Sequence, residues 1–198
     1  MLNVFARARV SAALAPVGRA LARAHVSPNA LTVAGLIGVL IGTIGLAARG
    51  YLLLGVIVVT ISAFTDVLDG AVARASGKSS KWGAFLDSTS DRIADAAIFG
   101  SLIFYLASVH RPVAATGAIV SLGGALTVSY VKARAESLGY TCEVGIAERG
   151  ERLIAIGVIT LLEAFGVPYA LEVGLWLMAV ACVVTVGQRM YAVWLQAR

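Results

Sequence analysis

The chain has 198 residues, of which 59% are hydrophobic and 14% charged, with a mean hydropathy of +0.88 and a net charge of +5. A soluble domain carries about 45–50% apolar residues, so a soluble fold with a single anchor is excluded and one membrane domain is expected. The excess positive charge does not form a basic stripe with interleaved aromatic residues, which argues against nucleic acid and for anionic lipid and phosphorylated substrates.

Residues 1–27 read as an N-terminal juxtamembrane amphipathic segment. Val10, Leu14, Val17 and Leu21 share one side, Arg19 and Arg23 lie opposite, and Pro16 starts a second helical piece. Such a segment lies at the membrane surface, where its arginines meet anionic headgroups. Arginines throughout the first 23 residues, with no compact apolar core before a cleavage site, argue against a removable signal peptide.

Residues 28–198 read as a six-helix membrane domain, so the expected fold is all-α and integral to the membrane, with an N-terminal interfacial helix. Ser27-Pro28 opens the first span, which runs from about Asn29 to Ala48. The second has its apolar part at Tyr51 to Thr65, roughly 22 Å of a hydrocarbon core about 30 Å thick. Asp66 and Asp69 therefore sit near one edge of the membrane. The helix continues to about Ala75, and the polar stretch from Ser76 to Lys81 forms a turn.

The third span begins with the face bearing Asp87 and Asp91 and ends near Ala107; His110-Arg111-Pro112 is a turn. The fourth runs from about Val113 to Ala133. A polar loop with Gly139 and Gly145 precedes Glu148-Arg149-Gly150-Glu151-Arg152, which opens the fifth. Val167-Pro168 marks the next turn, and the sixth span covers about Leu171 to Leu195. Cys142 and Cys182 form neither a metal-type spacing nor a disulfide framework.

With the N-terminus inside, this arrangement puts 14 of the 16 lysines and arginines on the cytoplasmic side, leaving Arg49 and Arg111 outside. Both termini and the carboxylates then face the cytoplasm of a cell (inner) membrane.

The chemistry is carried by four of those carboxylates. Asp66, Asp69, Gly70 and Ala73 stand at i, i+3, i+4 and i+7 on one helix face, and Asp87 and Asp91 at i and i+4 on another. Unpaired charges at this depth cost several kcal/mol and mark functional sites by default. Four oxygen ligands without a nearby His or Cys suit one or two hard divalent cations, Mg²⁺ or Mn²⁺, and not zinc. Gly70 and Ala73 leave a bare strip where a flat ligand or another helix approaches closely. Arg74 can neutralise a carboxylate or grip a phosphate. A purely structural ionic cluster is the weaker reading, because four such charges cost too much for packing alone. Asp95 continues the row, with Arg92 as a charge partner.

Asp66-x-x-Asp69-Gly70-x-x-Ala73-Arg74, eight residues, then Gly83-x-x-x-Asp87-x-x-x-Asp91 resembles the complete signature of the CDP-alcohol phosphatidyltransferase family. The resemblance implies a membrane enzyme that moves a phosphatidyl or similar group from a CDP-linked donor to an alcohol and releases CMP. It implies Asp66, Asp69, Asp87 and Asp91 as metal ligands, with Asp91 also the general base; spacing alone does not choose among the four. It further implies that Gly70, Ala73, Arg74, Ser80 and the segment Asn29, Ala30, Leu31 and Thr32 accept CDP-diacylglycerol. By composition alone, Asn29 and Thr32 are helix-entry residues and Ser80 a turn serine.

Lys132 and Arg134, Arg152, and Arg189 lie at the cytoplasmic ends of the fourth, fifth and sixth predicted spans. Any one of them reads best as snorkelling to the interface, but several at the depth of the carboxylates suggest an anion pocket. Lys132 and Arg134, at i and i+2, share no helix face and converge only if the helix ends or a side chain curls back. Tyr130-Val-Lys132-Ala-Arg134-Ala-Glu136, Glu148 to Leu153 and Gln188-Arg189 resemble the bacterial phosphatidylinositol phosphate synthase branch of the family. There the matching four cations hold the phosphate of inositol 1-phosphate, and the resemblance also suggests a homodimer. The alternatives are a phosphatidylglycerophosphate synthase, whose acceptor is glycerol 3-phosphate, and, in a different class, a divalent-cation transporter. Against the transporter, no acidic residue lies midway along the spans; Glu163 and Glu172 are near the far side only.

Overall fold

The computed structural model describes residues 16–21, 23–77 and 80–198, with Asp66 and Val67 described through their backbone alone. Residues 1–15, Ala22, Lys78 and Ser79 lie outside that set, so the amphipathic face expected of the N-terminal segment is described only from the helical residues 16–21 onward.

The described residues form helices and no strands. Helix α1 is Pro28–Leu40 and runs on through a π-helical turn at Ile41–Leu46 and a 3-10 turn at Ala47–Arg49. The others are α2 at Leu52–Ser76, α3 at Lys81–Ser108, α4 at Pro112–Ser137, α5 at Arg149–Ala164 and α6 at Ala170–Gln196. All six expected helices are thus present. Four segments are long and apolar enough to cross a membrane: Pro28–Arg49, α2, α4 and α6. The reasons that α3 and α5 differ are physical. The first half of α3 carries Asp87, Asp91, Arg92 and Asp95, while the 16 residues of α5 reach about 24 Å, short of a core about 30 Å thick.

The chain divides into two compact units, residues 1–41 with 57–94, and residues 42–56 with 95–198. Within the first, α1 and α2 run antiparallel. Thr32 pairs with Asp69, and six residues on a side chain at Gly38 would overlap Ser62, so the backbones meet where small residues permit it. Ser62 satisfies its own hydroxyl on Val58 O at 2.8 Å, a bond within its helix that leaves no polar atom to the apolar surroundings. Helix α3 starts on a serine cap, with Ser80 Oγ accepting from Gly83 N at 3.0 Å.

The second unit is built on α6. Helix α4 packs parallel to it through a stripe of small residues: Ser121 donates to Leu175 O at 2.8 Å, and a Cβ on Gly124 would stand 2.6 Å from Cys182 Cβ. Helix α5 packs antiparallel to α6, with Gly174 so close to Ile159 that an added Cβ would lie 2.5 Å away. Where the π-helical turn widens at Gly42, its carbonyl would lie 2.8 Å from a Cβ on Gly55, so the first turn of α2 packs directly on it.

At the start of α4, Arg111 forms ion pairs with Glu163 at the end of α5 and Glu172 at the start of α6. Its Nε donates to Glu172 at 2.6 Å. Hydrogen bonds donated to Glu172 and then to Glu163 push the guanidinium pKa above its ordinary value. Sequence reading placed all three on the far side but did not pair them.

Candidate functional site

In the first unit, a cavity of about 200 Å³ opens beside the antiparallel helices and the start of α3. Asn29 and Thr32 from α1, Asp69, Gly70 and Ala73 from α2, Ser80 from the turn and Asp87 from α3 all line it. The helical periods explain this convergence: Asp69 and Ala73 are one turn apart, and Asn29 and Thr32 face the same way at i and i+3. Seven residues singled out in the sequence therefore meet in one place. Pro28, which opens the same segment as Asn29 and Thr32, also lines it, as do Gly83 and Ala84, which were not singled out as ligand residues. Gly83 was visible as a motif position, and its role is spatial: a Cβ there would stand 3.3 Å from both Asn29 Oδ1 and Ser80 Oγ.

Asp69 is 7% exposed and Thr32 5%. Thr32 Oγ1 lies 2.5 Å from Asp69 Oδ2 and 3.2 Å from Pro28 O. Its single proton goes to the nearer, charged acceptor, since charge-assisted hydrogen bonds are the shorter and stronger ones. This fixes the carboxylate's orientation from the α1 wall of the cavity.

Ala30 and Leu31 do not line the cavity, because their positions on α1 turn them away from the face of Asn29 and Thr32. Arg74 is exposed and lies along its own helix, its Nη1 3.4 Å from where a Cβ on Gly70 would be. Asp91 is half-buried one turn after Asp87 and is bonded by Arg92 Nη2 at 3.3 Å. Arg92 thus pairs with Asp91 and not with Asp95. The side chain of Asp66 lies outside the described residues. Among the described side chains, no three acidic, His or Cys residues converge closely enough to hold a metal ion by themselves. The donor chemistry at the cavity, carboxylates and a hydroxyl without nitrogen or sulfur, fits a hard divalent cation.

The cations of the second unit behave differently. Lys132 is half-buried and faces Glu136 at 3.7 Å, while Arg134 is exposed and its Nη1 donates to Ser137 at 3.4 Å. Helix α4 continues past both to Ser137, so neither route expected to bring them together is taken. Arg152 and Arg189 are 2% and 3% exposed. Arg152 Nη2 bonds Asp95 at 2.8 Å and its Nη1 bonds Ala147 O at 2.9 Å. Arg189 Nε bonds Val144 O at 2.8 Å and its Nη1 bonds Val128 O at 2.6 Å.

These arginines hold the loop between α4 and α5. Thr185 adds to this by accepting from Ile146 N and Ala147 N at 3.2 and 3.0 Å, and Gln196 clasps Thr141 through N, Oγ1 and O. Gly145 sits at φ +139° with Thr185 Cγ2 2.5 Å from its would-be Cβ, so no side chain fits there. None of these partnerships follows a helical period, which is why sequence spacing could not find them.

A CDP-alcohol phosphatidyltransferase profile matches residues 25–187. The phosphatidylinositol phosphate synthase of Streptomyces avermitilis is 42% identical over 202 residues, taking in 98% of this chain and 82% of the relative. That of Cutibacterium acnes is 40% identical, with 98% and 97% covered. Among solved structures, Mycobacterium tuberculosis phosphatidylinositol phosphate synthase with CDP-DAG bound superposes with a TM-score of 0.84 at 38% identity, over 91% of this chain and 93% of that one. The same enzyme in complex with manganese and citrate gives 0.84 at 38%, over 91% and 88%. With Asp69, Gly70, Ala73, Gly83 and Asp87 of the signature lining one cavity and its likeness spanning nearly the whole length, the chain belongs to the CDP-alcohol phosphatidyltransferase family.

Proposed function

We propose that this transferase moves the phosphatidyl group of CDP-diacylglycerol to inositol 1-phosphate, giving phosphatidylinositol phosphate and CMP. The observation that carries the reading is the convergence of Asn29, Thr32, Asp69, Gly70, Ala73, Ser80 and Asp87 on one cavity. The names of the relatives support the acceptor.

In this reading the acceptor hydroxyl attacks the phosphatidyl phosphorus, a new O–P bond forms, and the bond to the CMP oxygen breaks. Asp91 takes the hydroxyl proton as general base. Asp66, Asp69, Asp87 and Asp91 hold one or two divalent cations, Mg²⁺ or Mn²⁺. When bound, such cations supply charge neutralisation for the diphosphate and the departing CMP phosphate. Thr32 holds the Asp69 carboxylate in one orientation. Gly70 and Ala73 let the cytidine diphosphate lie against α2, Arg74 neutralises it, and Asn29 and Ser80 offer polar contacts. Lys132, Arg134, Arg152 and Arg189 hold the acceptor phosphate. The six helices span the membrane with both termini and the site facing the cytoplasm, and two copies form a homodimer.

CMP release by the purified protein in detergent, with CDP-diacylglycerol and Mg²⁺, tests this against inositol 1-phosphate, inositol and glycerol 3-phosphate in turn, with Asp91→Asn as blank. Release with inositol 1-phosphate alone is expected. Release only with glycerol 3-phosphate overturns the acceptor and keeps the donor site.

A further inference from the structure

The second unit contains a carboxylate for which the family signature has no place. Asp95 lies on α3, one turn beyond Asp91, and is 2% exposed. Its Oδ2 accepts from Arg152 Nη2 at 2.8 Å. Arg152 stands in the first turn of α5, four residues after the cap Glu148, where the helix dipole disfavours a cation. Burying an ion pair contributes little to stability, because desolvation of both charges offsets their attraction. A pair kept in this place therefore calls for a role other than cohesion.

The guanidinium itself indicates that role. Ala147 O takes Nη1 and Asp95 takes Nη2, while Nε is buried with no hydrogen-bond partner. A buried donor left unsatisfied is costly, and native structures keep few of them without cause. With two of its nitrogens tied to fixed acceptors, the guanidinium cannot rotate to satisfy the third. A phosphate oxygen admitted beside it would do so, making a charge-assisted bond of the stronger kind.

We propose that Asp95 is a positioning residue for Arg152, fixing its guanidinium so that Nε remains as the donor for the phosphate of the acceptor alcohol. Asp95 touches neither substrate and acts only through Arg152. This rests on the acceptor reading given above, and it adds a residue outside the signature that sets how the acceptor is held.

Steady-state CMP release by the full chain in detergent tests it, with Asp95→Asn, Asp95→Ala and Arg152→Gln beside the parent protein. Asp95→Ala is expected to raise KM for inositol 1-phosphate about tenfold while KM for CDP-diacylglycerol stays within about twofold. Asp95→Asn, close in shape and still an acceptor for Nη2, is expected to show a smaller rise of the same constant. In the Arg152→Gln background Asp95→Asn is expected to add nothing, since residues acting through one contact are not additive. Both Michaelis constants moving together, or neither moving, overturns the proposal.

Thermal unfolding with and without inorganic phosphate reads the same site without any acceptor alcohol, and Asp95→Asn keeps that readout accessible should Asp95→Ala fold poorly. The parent protein is expected to gain several degrees from phosphate and Asp95→Asn to lose most of that gain. An equal or larger gain in Asp95→Asn overturns the assignment. Should the parent protein use only a different phosphorylated alcohol, the acceptor reading fails, while the phosphate-dependent shift still decides the role of Asp95.

Discussion

The cavity of the first unit and the arginine cluster of the second are built in opposite ways. In the first, polar groups line an open space of about 200 Å³, and neighbours in the same lining, such as Thr32 beside Asp69, orient one another. In the second, Arg152 and Arg189 are buried and already bonded to Asp95 and to loop and helix carbonyls. Carboxylates lining a cavity leave room for the divalent cation proposed above, whereas enclosed arginines also serve as fasteners of the chain. A charged residue near a membrane edge can thus do two jobs, and only its partners reveal which.

The largest effects should separate the two regions. Removing divalent cations with EDTA is expected to abolish CMP release, and adding back Mg²⁺ or Mn²⁺ to restore it, measured as CMP formed per minute. Asp91→Asn is expected to lower kcat by about 10²–10⁴-fold with the thermal midpoint little changed, in line with loss of a general base. Retained activity in either case would break the contrast, because the first region would then be as structural as the second.

Thr32→Val is expected to weaken divalent-cation affinity by about 10–100-fold, read from a Mg²⁺ titration of activity and from Mn²⁺ binding by electron paramagnetic resonance. Thr32→Ser should retain most of the affinity by keeping the hydroxyl beside Asp69. Arg189→Gln is expected to cost about 1–3 kcal/mol of stability by stranding the Val144 carbonyl, with faster hydrogen exchange across residues 141–147. Should exchange there stay slow, Arg152, Thr185 and Gln196 hold the loop without Arg189. The smallest effect belongs to Lys132→Ala, whose half-exposed pairing with Glu136 predicts a stability change within about 0.5 kcal/mol. Any large loss of activity in that variant would then report on acceptor binding and not on folding.

How much was legible follows the same division. Asp69, Gly70 and Ala73 share a face by the helical period, and Asn29 with Thr32 does likewise, so local spacing located most of the cavity. All six helices were readable from apolar runs and their Pro, Gly and Ser boundaries. The number of spans was harder, because the charges on α3 and the shortness of α5 both dilute the apolar signal. Asp95 was visible as a continuation of its row, yet its partner stands 57 positions away, and Arg92, the nearer cation, bonds Asp91. The loop fastened by Arg189, Thr185 and Gln196 was also out of reach, since backbone carbonyls carry no residue-specific mark in a sequence.

The ion-pair trio of Arg111, Glu163 and Glu172 bears on how the protein is made. Arg111 precedes Glu163 and Glu172 by 52 and 61 residues, so it leaves the ribosome before the α5–α6 pair. That pair carries two carboxylates at its connecting turn, and until it docks they have no cation of their own nearby. The attraction of Arg111 for both gives the arriving helices a preferred partner and a preferred depth. An Arg111→Leu chain would therefore be expected to lose yield during biogenesis more than stability once assembled, with α5 and α6 the segments that quality-control proteases find first.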